Sequence, residues 1–594
     1  MGTELLCPLS DAIRRHIEPG MHLHFASSPS RSNAAVRELA RVFLERRPGF
    51  LLSSTGFHSS AHTLPLLGLG RSYLGCFFGD NYPAPRPNRV YRALAREGLL
   101  EHWSLLTYTQ ALRAGALGHP YAVTTSLAGT DLGATLAERG RLFEVPDPKG
   151  GEPIRLLTPI VPDVTFVHAV VATRSGRALF PAPIGEGLHG AYAASRGVIV
   201  TAEKIVDERE LEPFAHLASL PASRVLAVSE EPFGAHPQPL YLGSSVCGVA
   251  GYSDDFAAYE TWRQFAEHPD TFAAYRRAVL EAPNGRQAYF EFIGQRRLES
   301  LAQASNRAES DQNDRTPGLV SPENDRTPGP VSPGLVSPGS VSPGLVTRGG
   351  GLGAAERLVL FAARAIVRRV NESGHRAILA GIGQSFSASR IALLLDPPLR
   401  ERVELLVETG ISGFDASEAH PFLLSAHNMA AAARLSSVED NLGAAACGRH
   451  NRCLAVVGCA EADADGNLNS SFVDGELIVG SGGASDLTAC AREAVVLCKS
   501  DRLVSRVAFV TSPGTRVRTI VTEDGVLERS GAGQTWTLSS FGLGSRPVAE
   551  FCAALPFPVR VRETDTALAA TPFELAALTE VLSLRESKRE TARR

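Results

Sequence analysis

The chain has 594 residues, of which 44% are hydrophobic and 21% are charged, and its formal net charge is -4. It is too long for one hydrophobic core and has the composition of a soluble globular protein, so we expect several domains. The nearly balanced charge gives no electrostatic reason to expect a nucleic acid partner.

The sequence also argues against a membrane or secreted protein. No stretch approaches the roughly 20 consecutive apolar residues that a membrane helix needs. Residues 1–7 lack the basic region followed by an apolar core that marks a secretory signal. We therefore expect a cytoplasmic protein with no membrane partner.

Nine cysteines in so long a chain do not suggest a disulfide framework. Cys447, Cys453 and Cys459 recur every six residues, with His450 among them. Zinc sites usually contain more closely spaced cysteine pairs. We therefore expect buried thiols here, and no metal site.

The first half of the chain alternates between helix and strand patterns. Helical patterns cover residues 33–45, 88–97 and 107–116. Apolar, β-branched runs follow at residues 164–171, 197–201 and 224–228, and residues 262–280 fit one or two helices. Continuous apolar strands between helices are typical of a parallel sheet that is covered on both faces.

A change in composition at residues 299–352 marks a linker. Residues 313–318 and 324–329 have the same sequence, and Ser-Pro-Gly recurs from Ser332, Ser337 and Ser342. Such a segment lacks the apolar side chains that would offset the entropy of ordering it. We predict a semi-flexible tether; a docking site for a proline-binding module is the alternative. The predicted domains are residues 1–299 and 353–594, with a disordered linker at 300–352.

The second half repeats the α/β pattern. A long amphipathic helix is predicted at residues 354–371, a strand at 377–383 that runs into a glycine turn, and a helix at 388–395. Further strands are predicted at residues 454–457, 503–511 and 518–521. The pattern alone therefore predicts two α/β domains with open sheets.

Glu408 is the most informative residue of the second half. The mostly apolar run at residues 402–407 ends at this carboxylate, and Gly410 follows closely. In open α/β sheets, ligands bind where the strands end at their carboxyl edge. Glu408 is therefore a candidate nucleophile or base. On this segment alone, a surface glutamate just past a strand is the favoured interpretation.

Glycine-bearing turns flank Glu408 in sequence. Gly381-Ile382-Gly383 links a predicted strand to a helix, and residues 480–483 lead into a helix predicted through Cys490 to Val496. Backbone N–H groups at such turns can hold a phosphate or a developing oxyanion; alternatively, the glycines merely allow close packing. A carboxylate is a weak nucleophile, so its substrate must be activated. A thioester fits, because its carbonyl is electrophilic and its thiolate leaves readily.

This combination of motifs resembles the family I coenzyme A transferases, with a layout similar to the glutaconate CoA-transferase-like members. The second-half segments that resemble the family are residues 381–383, 407–410, 458–470, 480–487, 511–514 and 521–526. The first-half segments are residues 114–120, 129–131, 162–168, 200–206 and 234–237. The linker then joins an α-subunit-like half to a β-subunit-like half.

The resemblance implies a CoA-transferase in which Glu408 attacks an acyl-CoA and carries CoA as a glutamyl thioester. Gly482, Gly483, Gly381 and Gly383 would bind CoA or the oxyanion. The partners would be an acyl-CoA and a carboxylic acid, and a homodimer is plausible by resemblance. No permanently bound cofactor is implied, because coenzyme A is itself a substrate and part of the covalent intermediate.

The sequence departs from the family in the segments that would select the carboxylic acid of the substrate. Residues 24–33 replace a glycine-rich turn and introduce hydroxyls, such as that of Ser28, together with Arg31. Arg31 could pair with a substrate carboxylate or face solvent. Glu461 stands where the family often has glutamine, and Asn469 lies in the same motif. We expect these four side chains to contact substrate.

These departures keep other functions open. Some proteins of this architecture are acyl-CoA hydrolases, ring-opening C–C hydrolases or decarboxylases. The retained Glu408 favours transfer over decarboxylation, whereas the changes in the first half favour the alternatives. A non-catalytic protein with a decayed site is a third class, and the presence of both Glu408 and the glycine loop, residues 480–487, argues against it.

Overall fold

The computed structural model describes residues 5–26, 29–217, 219–303, 351–561 and 569–593. Most of the predicted linker, residues 304–350, lies outside these ranges, as does Ser28. None of the described helices combines the length and apolar character needed to cross a membrane.

Before the linker, the described residues form a nine-stranded sheet. Its parallel strands, in spatial order, are Val225–Glu230, Gly197–Val206, Val164–Thr173, His22–Phe25, Phe50–Ser53, Gly70–Gly75 and Leu100–His102. The short antiparallel strands Ala178–Leu179 and Ser219–Leu220 extend the sheet beside Val164–Thr173. Every residue of Val164–Thr173 is buried, as expected for a central strand covered on both faces.

Helices cover this sheet. The first half includes the α-helices Leu9–His16, Asn33–Val42, Thr63–Leu66, Arg89–Arg96, Leu105–Leu117, Asp131–Glu138, His189–Ala193, Phe256–Glu267, Pro269–Tyr275 and Gly285–Ile293, and residues 295–303 are also helical. A separate antiparallel sheet has the order Ala122–Thr124, Ile154–Leu157 and Leu142–Val145. Two short strands, Gly56–Phe57 and Phe77–Phe78, pair in parallel just beyond the carboxyl edge of the main sheet.

The second half forms its own sheet, which has ten strands within the described residues. In spatial order these are Arg434–Leu435, Ile411–Ser412, Glu404–Leu406, Ala377–Ala380, Cys453–Gly458, Glu493–Leu497, Val517–Val521, Val526–Glu528, Trp536–Ser540 and Val559–Val561. The five strands from Glu404–Leu406 to Val517–Val521 run parallel.

The α-helices of the second half are Ala354–Ser373, Gln384–Leu395, Pro397–Arg402, Ala426–Ala430, Ala484–Cys490, Val548–Ala554 and Pro572–Arg593. Residues Glu439–Ala446 form a π-helix. The antiparallel hairpins Glu461–Ala462 with Leu468–Asn469, and Phe472–Val473 with Glu476–Leu477, lie outside the main sheet.

One apolar cluster spans both halves of the chain. Trp103 and Leu106 of the first half belong to the same buried cluster as Leu406, Leu442 and Val457 of the second half. Two further clusters lie mainly within one half each. Because burial of apolar surface is the main favourable contribution to folding, the shared cluster holds the halves together as one packed unit.

The predicted fold class is confirmed: the protein is α/β, with open and mainly parallel sheets on the two sides of the linker. The three apolar runs of the first half are strands, extended at their carboxyl ends relative to the prediction. The predicted domain boundaries stay predictions, although neither main sheet draws a strand from the other side of the linker.

Two predicted elements are wrong. Residues 503–511 are not a strand, because the N–H groups of Val507 and Val510 donate to the side chains of Asp463 and Asp131 instead of a neighbouring strand. The predicted helix through Val496 ends at Cys490, and Glu493–Leu497 is a fully buried central strand. A short apolar run has no periodicity that separates a buried strand from a buried helix.

A glycine fixes the turn after Glu404–Leu406. Gly410 has φ +109°, and a Cβ atom there would lie 2.6 Å from the backbone carbon and oxygen of Ser436. Gly475 also has positive φ, +76°, but a Cβ atom there would meet nothing within 4 Å.

We predict that Gly410→Ala lowers the free energy of unfolding by about 2–4 kcal/mol. The backbone near Ser436 must move to make room for the Cβ atom, and alanine must adopt a φ value that it disfavours. The matched control Gly475→Ala should cost only about 1 kcal/mol, the conformational contribution. Urea unfolding of both variants measures the difference. Equal losses would show that the contact with Ser436 does not constrain this turn.

Candidate active site

Glu408 follows the strand Glu404–Leu406 at the carboxyl edge of the second sheet. The turn after it is closed by two backbone hydrogen bonds, from Val407 N–H to Ile411 O (2.8 Å) and from Gly410 N–H to Val407 O (3.1 Å). The turn places the Glu408 side chain against a cavity between the two halves of the protein.

The cavity contains about 820 Å³ of space not filled by atoms, including space open to solvent. The first half contributes Thr55, Gly56, Cys76 and Phe77, which follow the parallel strands Phe50–Ser53 and Gly70–Gly75. The second half contributes Ile382, Glu408 and Gly482, among others. Both sheets therefore offer their carboxyl edges to one cavity, the usual place of a binding site in open α/β sheets.

The Glu408 carboxyl is held by one backbone donor. The Gly483 N–H donates to Glu408 Oε2 at 3.2 Å. Burial, and then the nearby Asp486 carboxylate, raise the pKa of Glu408 to about 7, while the hydrogen bond from Gly483 opposes that rise. At neutral pH the carboxyl thus exists in both ionisation states, and its ionised form is poorly solvated.

Asp486 connects the glycine loop to the first half. Its Oδ1 accepts a hydrogen bond from Ser104 Oγ at 2.7 Å, and its Oδ2 accepts one from Leu106 N–H at 3.0 Å. Burial raises the pKa of Asp486 to about 6. Ser104 also caps the helix Leu105–Leu117, so one pair of side chains fixes the start of that helix and the position of the loop.

Backbone hydrogen bonds reinforce this connection. Gly482 N–H donates to Cys76 O (3.1 Å), Leu105 N–H donates to Gly482 O (2.9 Å), and Phe78 N–H donates to Val479 O (2.8 Å). The glycine loop of the second half is thus bound directly to the strand ends of the first half.

The predicted glycines differ in what they do. A Cβ atom at residue 483 would lie 2.5 Å from Glu408 Oε2, so only glycine lets this carboxylate reach the N–H. Gly482 N–H is used by Cys76 O, so its role as an oxyanion donor stays a prediction. Gly381 N–H donates to Val456 O at 2.8 Å, and Gly383 adopts φ +95° before the helix Gln384–Leu395. Ile382, between these two glycines, lines the cavity.

Arg31 lies behind the cavity wall. Its guanidinium donates to Asn33 Oδ1 (3.1 Å), Gly56 O (2.9 Å) and His58 O (2.9 Å). The side chain is only 1% exposed, and burial lowers its pKa to about 10. Gly56 and His58 both line the cavity, so Arg31 positions the wall through backbone carbonyls. Its predicted contact with substrate stays a prediction.

Asn469 and Glu461 pair with each other. They face across the hairpin, and Asn469 Nδ2 donates to Glu461 Oε2 at 2.9 Å. Asn469 Oδ1 also accepts the N–H groups of Ser471 and Phe472. Neither residue is among those that line the cavity, so their predicted substrate contact stays a prediction. Ser28 lies outside the described residues.

Several residues at the cavity were not predicted from the sequence. Cavity-lining residues that it did not single out include His58, Asn81, Gln238, Tyr259 and Phe422. Asp486 lies inside a motif that was recognised, but no role was assigned to it. Some of these residues could have been found from their position just after a strand. A prediction of the strands Phe50–Ser53 and Gly70–Gly75 would have indicated the loops that follow them.

The comparisons with known proteins agree with this architecture. A family model described as coenzyme A transferase matches residues 8–230. The chain is 32% identical over 179 residues to one chain of the 3-oxoadipate CoA-transferase of Pseudomonas knackmussii, covering 30% of this chain and 57% of the relative. It is 25% identical over 313 residues to one chain of the glutaconate CoA-transferase of Acidaminococcus fermentans, covering 49% of this chain and 93% of the relative.

Solved structures extend the likeness of fold to both halves. The crystal structure of an acyl-CoA transferase apoenzyme from Escherichia coli O157:H7 has a TM-score of 0.62 at 14% identity and covers 95% of each chain. The thioester complex of that protein with CoA has a TM-score of 0.60. The resemblance to coenzyme A transferases that the motifs predicted is confirmed, by the family model over residues 8–230 and by the fold over both halves.

The raised pKa of Glu408 predicts how the protein's stability depends on this residue. A carboxyl whose pKa is about 7 in the folded protein and about 4.3 in the unfolded chain loses stability as pH rises between those values. Glu408→Gln removes this loss while keeping an oxygen that can accept the Gly483 N–H.

We expect Glu408→Gln to raise the free energy of unfolding by about 1–3 kcal/mol at pH 8, and by less at pH 5. Denaturant unfolding at the two pH values measures the gain. The control is Glu404→Gln, which removes an exposed carboxylate from the same strand and should change little at either pH. A gain that does not depend on pH would contradict the raised pKa.

Proposed function

We propose that this protein transfers coenzyme A from an acyl-CoA to a free carboxylic acid, with Glu408 as the nucleophile. The observation that carries the proposal is the position of Glu408: it is the one carboxylate among the described residues that line the cavity, and it meets the Gly483 N–H at 3.2 Å. The resemblance to coenzyme A transferases, matched by the family model over residues 8–230, supports CoA transfer as the reaction.

The transfer proceeds by covalent catalysis. Ionised Glu408 attacks the thioester carbonyl; the C–S bond breaks, and an acyl-glutamyl anhydride and CoA thiolate form. The thiolate then attacks the Glu408 carbonyl, the acid leaves as a carboxylate, and a glutamyl-CoA thioester remains. A second acid enters as its carboxylate, and the same two steps run in reverse. Each step exchanges one acyl bond for another, so no redox cofactor or metal is required.

The glycine loop supports the charge that develops during these steps. The Gly483 N–H, already directed at the Glu408 carboxyl, would donate to the oxyanion that forms when thiolate attacks this group. A single well-placed donor of this kind is worth roughly 3–4 kcal/mol of transition-state stabilisation. The connection through Asp486 and Ser104 keeps that donor in place before substrate binds.

Burial makes Glu408 a stronger nucleophile than a carboxylate in water. A solvated carboxylate is weakly basic, whereas the pKa of Glu408 is raised to about 7, so its ionised form gains more by bonding to an electrophile. At neutral pH, however, part of the enzyme carries a protonated Glu408 and is inactive. The names of the relatives do not identify the donor and acceptor acids of this chain. The expected homodimer stays a prediction.

The covalent intermediate tests the mechanism. We predict that wild-type protein incubated with an acyl-CoA gains the mass of CoA on the peptide that contains Glu408, and that Glu408→Ala neither gains it nor transfers CoA. Transfer should fall at least about 1000-fold, as for the loss of a catalytic nucleophile. Glu408→Asp should also lose most activity, because the shorter side chain misplaces the attacking oxygen.

Intact-protein and peptide mass spectrometry measure the adduct, and the control Glu404→Gln should form it normally. Near-normal transfer by Glu408→Ala would overturn the mechanism. Consumption of acyl-CoA without an acceptor acid and without an adduct would show hydrolysis in place of transfer.

The pH dependence of the first half-reaction gives an independent test. Because only ionised Glu408 attacks, kcat/KM should fall below about pH 7 and level off above it, following the pKa of the free enzyme. Asp486→Asn removes a negative charge that raises this pKa, so the midpoint should move to lower pH. Stopped-flow measurement of CoA adduct formation from pH 5 to pH 9 records both profiles. An unchanged midpoint in the variant would exclude the influence of Asp486 on Glu408.

A further inference from the structure

The described residues that line the cavity around Glu408 include no permanently cationic side chain. Among the described residues that line it, none is a lysine or an arginine. The one histidine, His58, is buried, and burial holds its pKa well below the ordinary value, so its ring is neutral. A negatively charged group in this cavity would therefore find no opposite charge on the lining side chains.

The Arg31 guanidinium, which lies behind the cavity wall, is already engaged within the protein. Arg31 is 1% exposed, and each of its three nitrogen atoms already donates to a protein oxygen: those of Asn33, Gly56 and His58. To reach a ligand it would have to give up carbonyl partners inside the protein, and unpaired buried polar groups are costly. In this structure Arg31 holds the cavity wall in position through the backbone carbonyls of Gly56 and His58.

Much of the cavity wall is apolar and aromatic. Phe77, Tyr259, Phe422, Leu424 and Val438 line it, and the rings of Tyr259 and Phe422 lie 6.0 Å apart. The Tyr259 hydroxyl donates to Asp254 Oδ1 at 3.0 Å, so its polar end is already used within the protein. The space beside Glu408 is thus suited to hydrocarbon or an aromatic ring.

Negative charge is already present at this site. Glu408 and Asp486 both have pKa values raised by burial, which shows that carboxylates are poorly stabilised here. A reacting carboxylate loses its charge when it becomes an anhydride or a thioester. A second carboxylate on the same substrate would keep its charge throughout, and the described lining residues offer it no cationic side chain as a partner.

We propose that the substrates of this site are monocarboxylic acids with an uncharged, mainly apolar acyl group, and not dicarboxylates. This inference rests on the proposed function and specifies its substrate class. Glutaconate and 3-oxoadipate, the acids in the names of two relatives, each carry two carboxylates, so the proposal separates this chain from those proteins.

The cavity also offers neutral polar contacts. Gln238 lines it, and its Oε1 accepts a hydrogen bond from Asn33 Nδ2 at 3.0 Å. Asn81 also lines the cavity, and its side-chain amide makes no hydrogen bond within the described part of the chain. A hydroxyl or keto oxygen on the acyl group could therefore be recognised without any charge on the substrate.

Pairs of thioesters that differ only in charge test the proposal. Butyryl-CoA and succinyl-CoA have four-carbon acyl groups that end in a methyl or a carboxylate, and hexanoyl-CoA and adipyl-CoA form a longer pair. We expect kcat/KM for adduct formation by wild-type protein to be about 100-fold higher for the neutral member of each pair. Equal values, or a preference for succinyl-CoA or adipyl-CoA, would overturn the proposal.

A charge-insertion variant tests the same point from the protein side. Asn81→Arg places a guanidinium at the cavity without removing a hydrogen bond between described residues, and Asn81→Gln is the matched neutral control. We expect Asn81→Arg to raise the ratio of kcat/KM for succinyl-CoA to that for butyryl-CoA at least about tenfold, and Asn81→Gln to leave it near the wild-type value. A folded Asn81→Arg variant with an unchanged ratio would count against the proposal.

Binding to Glu408→Gln separates this inference from the proposed reaction. This variant cannot form the thioester, so isothermal titration with butyryl-CoA and succinyl-CoA measures recognition alone. Tighter binding of butyryl-CoA supports the substrate class even if wild-type protein forms no adduct, in which case only the reaction fails. Equal or tighter binding of succinyl-CoA overturns the substrate class even if CoA transfer is observed. Binding of neither ester would overturn both.

Discussion

The attachment of the glycine loop to the first half is the interaction on which the site depends. Asp486 accepts hydrogen bonds from Ser104 and from the N–H of Leu106, and the neighbouring Gly482 exchanges backbone hydrogen bonds with Cys76 and Leu105. Hydrogen bonds to a charged acceptor are worth about 1.5–3 kcal/mol each. The same loop presents Gly483 to Glu408. Without the first half, Glu408 would lose the contacts that hold its backbone donor, Gly483, in place.

This arrangement gives a physical reason for joining two α/β halves in one chain. Each sheet positions its own strand ends, but the cavity needs both edges to face each other at a fixed distance. The shared apolar cluster supplies much of the burial energy, whereas the directional contacts of Asp486 set the alignment. A linker that only keeps the halves near each other is sufficient, because the interface itself determines their geometry.

The sequence predicted the parts of the fold and the site that are encoded locally. The long apolar strands, the carboxylate after a strand and the glycine turns all carry patterns within a few residues. Contacts between distant residues carry no such pattern: Ser104 and Asp486 are 382 positions apart. The same limit explains Arg31, two of whose three hydrogen-bond partners are backbone carbonyls more than 20 positions away, which no local sequence pattern reveals. It also explains residues 503–511, an apolar run whose N–H groups find partners in side chains.

One electrostatic property of the cavity links the nucleophile to its substrates. Burial, and then the nearby Asp486 carboxylate, raise the pKa of Glu408 to about 7, which makes the ionised carboxylate more reactive towards a thioester. A lysine or arginine placed beside it to bind a second carboxylate would lower that pKa and weaken the nucleophile. A cation that binds a second carboxylate of the substrate would therefore reduce the reactivity of Glu408, unless that cation lies far from Glu408. Here the Arg31 guanidinium is buried behind the wall and bound to carbonyl oxygens, an arrangement that supports the proposed nucleophile and the proposed uncharged acyl group.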